Sequence, residues 1–303
     1  MNPIRIKNIS DFHRLAALPQ PEHPLISIID YSKIKHSVEN NQIPVVFSFY
    51  SISVKRDLDF KMFYGQQQYD FDEGVMFFMA PGQVLRVQTE ANAASIHSGW
   101  LLLIHPDFIW NTSLAGKIKK YKFFHYSANE SLFLSQKEES IIDGVVKNIQ
   151  QEYHSNIDKF SQDIIIAQLE VLLNYAERFY QRQFITRRKT NHKILDRLET
   201  VLDDYFETDN QIKSRSPSVK YVAEKLNISP DYLSEVLKTL TGENAQQHIH
   251  SKLIEKAKQE LTTTDLTVSE IAYRLGFEYP QSFSKLFKLK TKQSPLEYRQ
   301  SFN

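Results

Sequence analysis

Two segments of this chain, 49 residues apart, match each other in register: Ser218–Ser229 (SVKYVAEKLNIS) and Thr267–Glu278 (TVSEIAYRLGFE). Each begins with a hydroxyl residue that can cap a helix, and each has an alanine followed three positions later by a leucine. Asn227 and Gly276 come directly after these leucines. Both residue types tolerate the positive φ that a sharp turn after a helix requires. The repeat therefore predicts two helix pairs, each with a sharp turn.

A second helix is predicted after each turn, with an apolar side and a polar side at helical spacing. The apolar positions are Leu233, Val236, Leu237 and Leu240 in the first pair, and Phe283, Leu286 and Phe287 in the second. Between the pairs, Asn244–Leu261 is predicted to form one helix that spans about 27 Å. Successive major-groove faces of B-DNA lie about 34 Å apart. The layout therefore predicts two helix-turn-helix units that dock on one side of double-stranded DNA.

The polar sides of the two second helices are the predicted DNA contacts. Amide, hydroxyl, amino and carboxylate groups can all pair with base edges in the major groove, whereas lysines also neutralise phosphates. The residues predicted to contact bases are Asp231, Ser234 and Glu235 in the first unit and Gln281, Ser282 and Lys285 in the second. The residues predicted to contact phosphates are Lys238, Lys288 and Lys292. For each residue the alternative is an ordinary solvated helix face.

The charge distribution agrees with this interpretation, although the net charge does not reveal it. The chain has 37 Lys and Arg against 36 Asp and Glu, but 5 against 1 from Gln281 onward. The absence of cysteine excludes disulfides, thiolate metal sites and cysteine nucleophiles. An enzyme is the competing class, but the sequence has no phosphate-binding glycine loop, catalytic triad pattern or metal cluster in support of it. The first residues lack an apolar signal segment, and no apolar run is long enough to span a membrane, so a cytoplasmic protein is expected.

The C-terminal third resembles the AraC/XylS family of transcription regulators. The resemblance rests on LNISPDYLSEVLKTLTG, LIEKAKQEL and VSEIAYRLGFEYPQSFSKLFKLKTKQSPLEYR, which includes the Leu-Gly-Phe turn and the ending from Ser294-Pro295 to Tyr298-Arg299. Two residues depart from the family pattern. Lys292 stands where the family often has glycine, and Glu235 stands where a basic residue is common. The resemblance implies transcription regulation, with RNA polymerase as a further partner.

The N-terminal part is predicted to be rich in β-structure, which makes the chain an α+β multidomain protein. Residues 25–110 contain short apolar runs, such as VVFSFYSISV and VMFFM, separated by turn signals. The fragments FFMAPGQVLRV and GWLLLIHPDF resemble cupin-like effector domains of the same family. This resemblance implies a barrel with flanking helices over residues 1–135 that binds a small-molecule effector. The alternative is a regulator that needs no ligand and whose N-terminal domain is purely structural.

This part contains candidate effector and metal ligands. A metal-binding cupin needs clustered histidines and glutamates, whereas His97 and His105 stand apart, so structural histidines and no cofactor are expected. Six aromatic residues are candidates for lining an effector site, although core packing is favoured for them: Phe47, Phe49, Phe63, Tyr64, Phe78 and Trp100.

Helices are predicted to follow the β-rich part. In residues 136–186 the core-facing positions are Ile142, Val145 and Ile149, and then Ile165, Leu169, Leu172, Ala176 and Phe179. Ile164, Val171 and Tyr175 add a second apolar face, which either packs within one subunit or forms a homodimer. The polar segment Arg187–His192 is the predicted connector to a third region, residues 193–303, which is predicted to be the all-α domain in which a long helix joins the two helix-turn-helix units.

Overall fold

The computed structural model describes residues 3–34, 44–56, 74–85, 98–155, 158–207 and 216–301. The chain divides into two compact units, residues 1–187 and 188–303. Residues 136–186 belong to the first of these units. None of the helices in the described ranges is long and apolar enough to cross a membrane.

The first unit contains two β-sheets within the described residues, as the prediction of a β-rich N-terminal part requires. Its strands are β1 Ile4–Ile6, β2 Ile26–Asp30, β3 Val45–Phe47, β4 Tyr50–Arg56, β5 Gly74–Met79, β6 Val84–Leu85, β7 Ser98–Ile104 and β8 Leu132–Leu134. The larger sheet has the order β2-β7-β4-β5-β8, and every neighbouring pair is antiparallel. The smaller sheet has the order β1-β3-β6, in which β1 and β3 are parallel.

The predicted closed cupin barrel is not found among the described strands, where β2 and β8 are the edges of an open sheet. The backbone of β8 shows why this edge stays open. Gln183 is fully buried, and its side chain accepts a hydrogen bond from the N–H of Phe133 (2.8 Å) and donates one to the carbonyl of Ser131 (3.0 Å). Arg182 donates to the carbonyl of Phe133 (2.6 Å). Helix side chains therefore take the hydrogen-bonding positions that a further strand would need.

Among the described residues, five α-helices accompany these sheets: α1 Ile9–Leu15, α2 Pro106–Ile109, α3 Ser113–Lys117, α4 Gln136–Tyr153 and α5 Ser161–Thr186. Helix α4 begins with a capping box between Ser135 and Glu138. All eight predicted core-facing positions of α4 and α5 are buried. The second apolar face of α5 is different, because Ile164 is 44% exposed and Val171 is 41% exposed.

The aromatic candidates for an effector site are buried core residues wherever the structure describes them. Phe49 is fully buried, and its ring stacks on that of Phe47 at 5.0 Å. Phe78 is also buried, with its ring 4.4 Å from that of Phe123. Trp100 is buried, and its indole N–H donates to Asp143 (3.0 Å). Phe63 and Tyr64 lie outside the described residues.

Of the two histidines considered as metal ligands, the structure describes only His105. His105 caps α2, because its Nδ1 accepts a hydrogen bond from the backbone N–H of Asp107 (3.2 Å). His97 lies outside the described residues.

The second unit is helical throughout its described part. Its helices are α6 Arg188–Glu207, α7 Val219–Leu226, α8 Pro230–Thr241, α9 Ala245–Thr263, α10 Val268–Arg274, α11 Pro280–Thr291 and α12 Pro295–Gln300. One apolar core joins them, with residues from α6 through α11 fully or almost fully buried. The predicted apolar positions of α9 all belong to this core: Ile249, Leu253, Ile254, Ala257 and Leu261.

The predicted connector is only partly correct. The two units divide directly after Arg187, but residues 188–192 are the beginning of α6 and not a linker. The polar composition of this segment did not distinguish a linker from the start of a helix, because two of its polar residues are buried. Asn191 is 1% exposed, and Arg187 is 8% exposed with its guanidinium 4.8 Å from the ring centroid of Phe133. The cation–π contact explains how a charged residue is accommodated there.

Candidate nucleic-acid interface

The first helix-turn-helix unit consists of α7 and α8, and its turn is built by Asn227. Ser218 caps α7, and Asn227 ends it in the left-handed conformation (φ 57°). The backbone N–H of Ile228 then donates to the carbonyl of Ala223 (3.0 Å), which closes the six-residue loop of a Schellman motif. Ser229 caps α8, with Pro230 at its first position. Each feature is a local sequence signal, so the sharp turn follows from the sequence.

The second unit, α10 and α11, repeats this geometry with different residues. Thr267 caps α10, as predicted, and forms a capping box with Glu270. Gly276 adopts a φ of 84°, and the N–H of Phe277 donates to the carbonyl of Ala272 (2.9 Å). That bond is equivalent to the one between Ile228 and Ala223. The two turns therefore match in their hydrogen bonds as well as in their sequence.

The repeat extends beyond the two turns to the ends of α8 and α11. Gly242 (φ 81°) and Lys292 (φ 67°) both end their helices in the left-handed conformation. Thr241 and Thr291, the residues just before them, each donate a side-chain hydrogen bond of 2.8 Å to the carbonyl four residues earlier. Capping boxes then begin α9 and α12. Each repeat is therefore a three-helix module, in which α12 is the shortened counterpart of α9.

The ending from Ser294 to Arg299 holds the second module together. Arg299 donates to the carbonyl of Leu261 (3.0 Å) at the end of α9 and to the carbonyl of Leu266 (2.6 Å) before α10. The ring of Tyr298 lies 5.5 Å from that of Phe287, edge to face. These contacts fix α12 against α9, against the residues before α10 and against α11.

Helix α6 is an additional part of the domain. Leu198 and Leu202 are fully buried in the common core, and the ring of Tyr205 lies 5.4 Å from that of Tyr221 on α7. Lys252 of α9 contacts Glu199 (3.1 Å) and Asp203 (2.8 Å) of α6. Hydrogen bonding to the Asp203 carboxylate raises the pKa of Lys252, with a further contribution from Glu199.

The outward faces of α8 and α11 differ in exposure. Gln281, Ser282 and Lys285 are exposed on α11, and so are Lys288 and Lys292 toward its end. On α8, only Lys238 of the predicted contacts is exposed. The remaining three, which lie nearer the start of α8, are half-buried: Asp231, Ser234 and Glu235. The side that faces away from the core on α11 is thus the more accessible of the two, and it carries more positive charge.

Two exposed side chains near this face were not among the predicted contacts. Leu289 is 66% exposed, one helical turn after Lys285. Tyr279 is 59% exposed at the start of α11. The exposure of Leu289 could have been predicted from the sequence, because its helical position falls outside the apolar side formed by Phe283 and Phe287.

Two sharp helix-turn-helix modules on one core, each with its second helix exposed, define the class of a tandem helix-turn-helix domain. Residues 222–301 match the family model described as a helix-turn-helix domain. The C-terminal region of this chain therefore contains a helix-turn-helix domain.

Similar proteins carry the same description. An uncharacterized HTH-type transcriptional regulator of Staphylococcus aureus is 28% identical over 148 residues, which cover 48% of this chain and 18% of that protein. The uncharacterized HTH-type transcriptional regulator YijO of Escherichia coli is 34% identical over 82 residues, which cover 27% of this chain and 29% of that protein. The chain thus spans less than a third of the length of these two relatives.

Among solved structures, the C-terminal domain of the two-component response regulator yesN from Fusobacterium nucleatum is 32% identical. The match covers 33% of this chain and 96% of that chain, with a TM-score of 0.29. The DNA-binding domain of AdpA, solved in complex with a target DNA, is 22% identical. That match covers 36% of this chain and 91% of that chain, with a TM-score of 0.31.

Proposed function

We propose that this chain is a sequence-specific DNA-binding transcription regulator, in which α8 and α11 enter successive major grooves of one duplex. The observation that carries the proposal is the repeated module, because each turn leaves its second helix with a polar outer face. Helix α9 has 19 residues, which corresponds to about 28 Å. This length supports docking of both modules on one side of the duplex, where major-groove faces repeat every ~34 Å.

The two modules are proposed to have unequal roles. The exposed lysines of α11 suit it for holding phosphates, with Lys288 and Lys292 as phosphate contacts and Gln281, Ser282 and Lys285 at base edges. In α8, Lys238 is the proposed phosphate contact. The base-reading residues proposed there are Asp231, Ser234 and Glu235. Carboxylates are repelled by phosphates but accept hydrogen bonds from cytosine amino groups, so the first module contributes discrimination more than affinity.

Selection of bound sequences from random duplex DNA, followed by mobility shifts, tests the proposal. Lys285→Ala is expected to weaken binding unequally across sequences. Lys288→Ala should weaken all of them and flatten the salt dependence by about one unit, because one phosphate contact is lost. Exposed Lys220 on α7 lies outside both second helices, so Lys220→Ala is the matched control. Unchanged binding in both variants, or no enriched sequence for the wild type, would contradict the proposal.

For the first unit we propose control by a small-molecule effector, which rests on the resemblance of its sequence to cupin-like effector domains. The competing proposal is a ligand-independent regulator. Both tryptophans, Trp100 and Trp110, lie in this unit, so their fluorescence follows its unfolding. A compound that raises the unfolding midpoint and changes DNA affinity supports effector control. A screen in which nothing stabilises the unit favours the ligand-independent alternative.

We further propose that a second copy of the chain covers the outward face of α5. Ile164 and Val171 are seven residues apart on this face and remain more than 40% exposed. A seven-residue repeat of apolar residues is the spacing that pairs helices. Val171→Glu is expected to shift the sedimentation coefficient of the full chain toward that of a monomer. Lys147→Glu, at an exposed site on α4, is the control and should leave the assembly unchanged. RNA polymerase stays a predicted partner.

A further inference from the structure

The outward face of α11 has two chemically different flanks. At about 100° per residue, Gln281 and Lys288 lie on one side of Lys285, whereas Ser282 and Leu289 lie on the other. All five side chains are exposed. One flank is therefore polar and basic, and the other combines a small hydroxyl with a large apolar group.

Leu289 is not part of the domain core. Phe283 and Phe287 are fully buried there, and Leu286 packs against them, so the apolar side of α11 is already occupied. Leu289 instead leaves 66% of its surface exposed. The equivalent position of α8, three residues before the left-handed residue, is the half-buried Thr239. Of these two equivalent positions, only the one in the second module therefore carries an exposed apolar side chain.

The chemistry of the major groove suggests what Leu289 contacts. Base edges there present hydrogen-bond donors and acceptors, and the C5 methyl group of thymine is the apolar feature among them. Leu289 lies about 40° around the helix from Lys285, one turn further along, so a helix that places Lys285 at a base edge brings Leu289 to the same groove floor. Ser282, the other residue of this flank, is small and uncharged, so it leaves space for a base edge beside Leu289.

We propose that Leu289 is a specificity-determining residue that contacts the C5 methyl group of a thymine in the binding site of the second module. The proposal rests on the DNA-binding function proposed above and adds a base preference to it. Lys288 would then face a phosphate, and Leu289 would face the bases together with Ser282.

The test uses the full-length chain and a duplex that the wild type has selected from random DNA. Each thymine of that duplex is replaced in turn by deoxyuridine, which removes only the methyl group. The wild type is expected to lose about fourfold in affinity at one or two thymines, which corresponds to the burial of one methyl group. Leu289→Ala should lose a similar factor on the unmodified duplex and show no further loss with deoxyuridine at those positions.

Leu296→Ala is the matched control, because Leu296 is a similarly exposed leucine (60%) on α12, away from the face of α11. It should respond to deoxyuridine as the wild type does. The proposal is overturned if every replacement affects the wild type and Leu289→Ala equally while both still bind the duplex. A wild type that enriches no sequence overturns the DNA-binding proposal as well, so the two failures are distinguishable.

Discussion

Lys292 ends α11 in a conformation that suits glycine, and this offers a quantitative test of the second module. Its φ is 67°, and its N–H donates to the carbonyl of Lys288 (2.8 Å). Gly242 has the same place in the first module, with a φ of 81° and a bond of 2.9 Å to Lys238. A side chain in this region costs roughly 1–2 kcal/mol. The lysine is therefore held at a cost in stability, at a site proposed to contact DNA.

The informative comparison is Lys292→Gly with Lys292→Ala, because both remove the charge and only glycine relieves the backbone strain. Glycine also increases the entropy of the unfolded chain, which offsets about 0.4–1 kcal/mol of the gain. The glycine variant should then be more stable than the alanine variant by about 1 kcal/mol. Gly242→Ala should lose a similar amount. A Cβ atom there meets no heavy atom of the described residues within 4 Å, so the backbone conformation alone sets the cost.

The assay is urea unfolding of the full chain followed by far-ultraviolet circular dichroism and by tryptophan fluorescence. Trp100 and Trp110 both lie in the first unit, so a helical transition without a fluorescence change belongs to the second unit. DNA affinity is measured in parallel. Both Lys292 variants should lose affinity equally and show a salt dependence reduced by about one unit. Equal stability of the two variants would refute the strain argument, and unchanged affinity would refute the phosphate contact.

Three further predictions concern packing and protonation. Leu202→Ala should destabilise the second unit by about 2–5 kcal/mol in the same urea assay, because a fully buried side chain of α6 is lost. A loss of stability as small as that of the exposed Arg197→Ala would mean that α6 is only a linker. Gln183→Leu should destabilise the first unit by about 2–5 kcal/mol, because two backbone groups at the edge of β8 lose their hydrogen-bond partners. Tryptophan fluorescence measures this change, and an unchanged unfolding midpoint would rule out the edge contact. Hydrogen bonds from Thr267 lower the pKa of Glu270, so its contribution to stability is present above pH 4.5 and is lost as the pH falls through the lowered value. Glu270→Gln should make the unfolding midpoint of the second unit less dependent on pH between 6 and 3, and parallel profiles would count against the capping box.

The second unit shows how far local signals reach. The caps at Ser218 and Thr267, the left-handed residues Asn227 and Gly276, and the buried face of α9 could all be predicted from residue type and spacing. Each depends on interactions within a few residues along the chain, which is why a single sequence contains them. The continuation of the repeat into α12 was missed, because a six-residue helix leaves too short a periodic pattern.

In the first unit, by contrast, local sequence patterns predicted the strands but not the contacts between distant segments. Its short strands were visible as apolar runs, but what covers the edge strand β8 could not be predicted from them. That edge is taken by Gln183 and Arg182, which are about 50 residues away along the chain. Nothing in their sequence neighbourhood distinguishes them from solvent-exposed polar residues of a helix.

By itself, the sequence determined the tandem helix-turn-helix modules, their polar faces and the helix that joins them, because turns, caps and helical periodicity are local. The tertiary structure decided how accessible those faces are. It left Asp231 and Glu235 half-buried while the lysines of α11 are exposed, and it left Leu289 outside the core. Exposure depends on which surfaces distant segments cover, and that is settled only when the helices pack together.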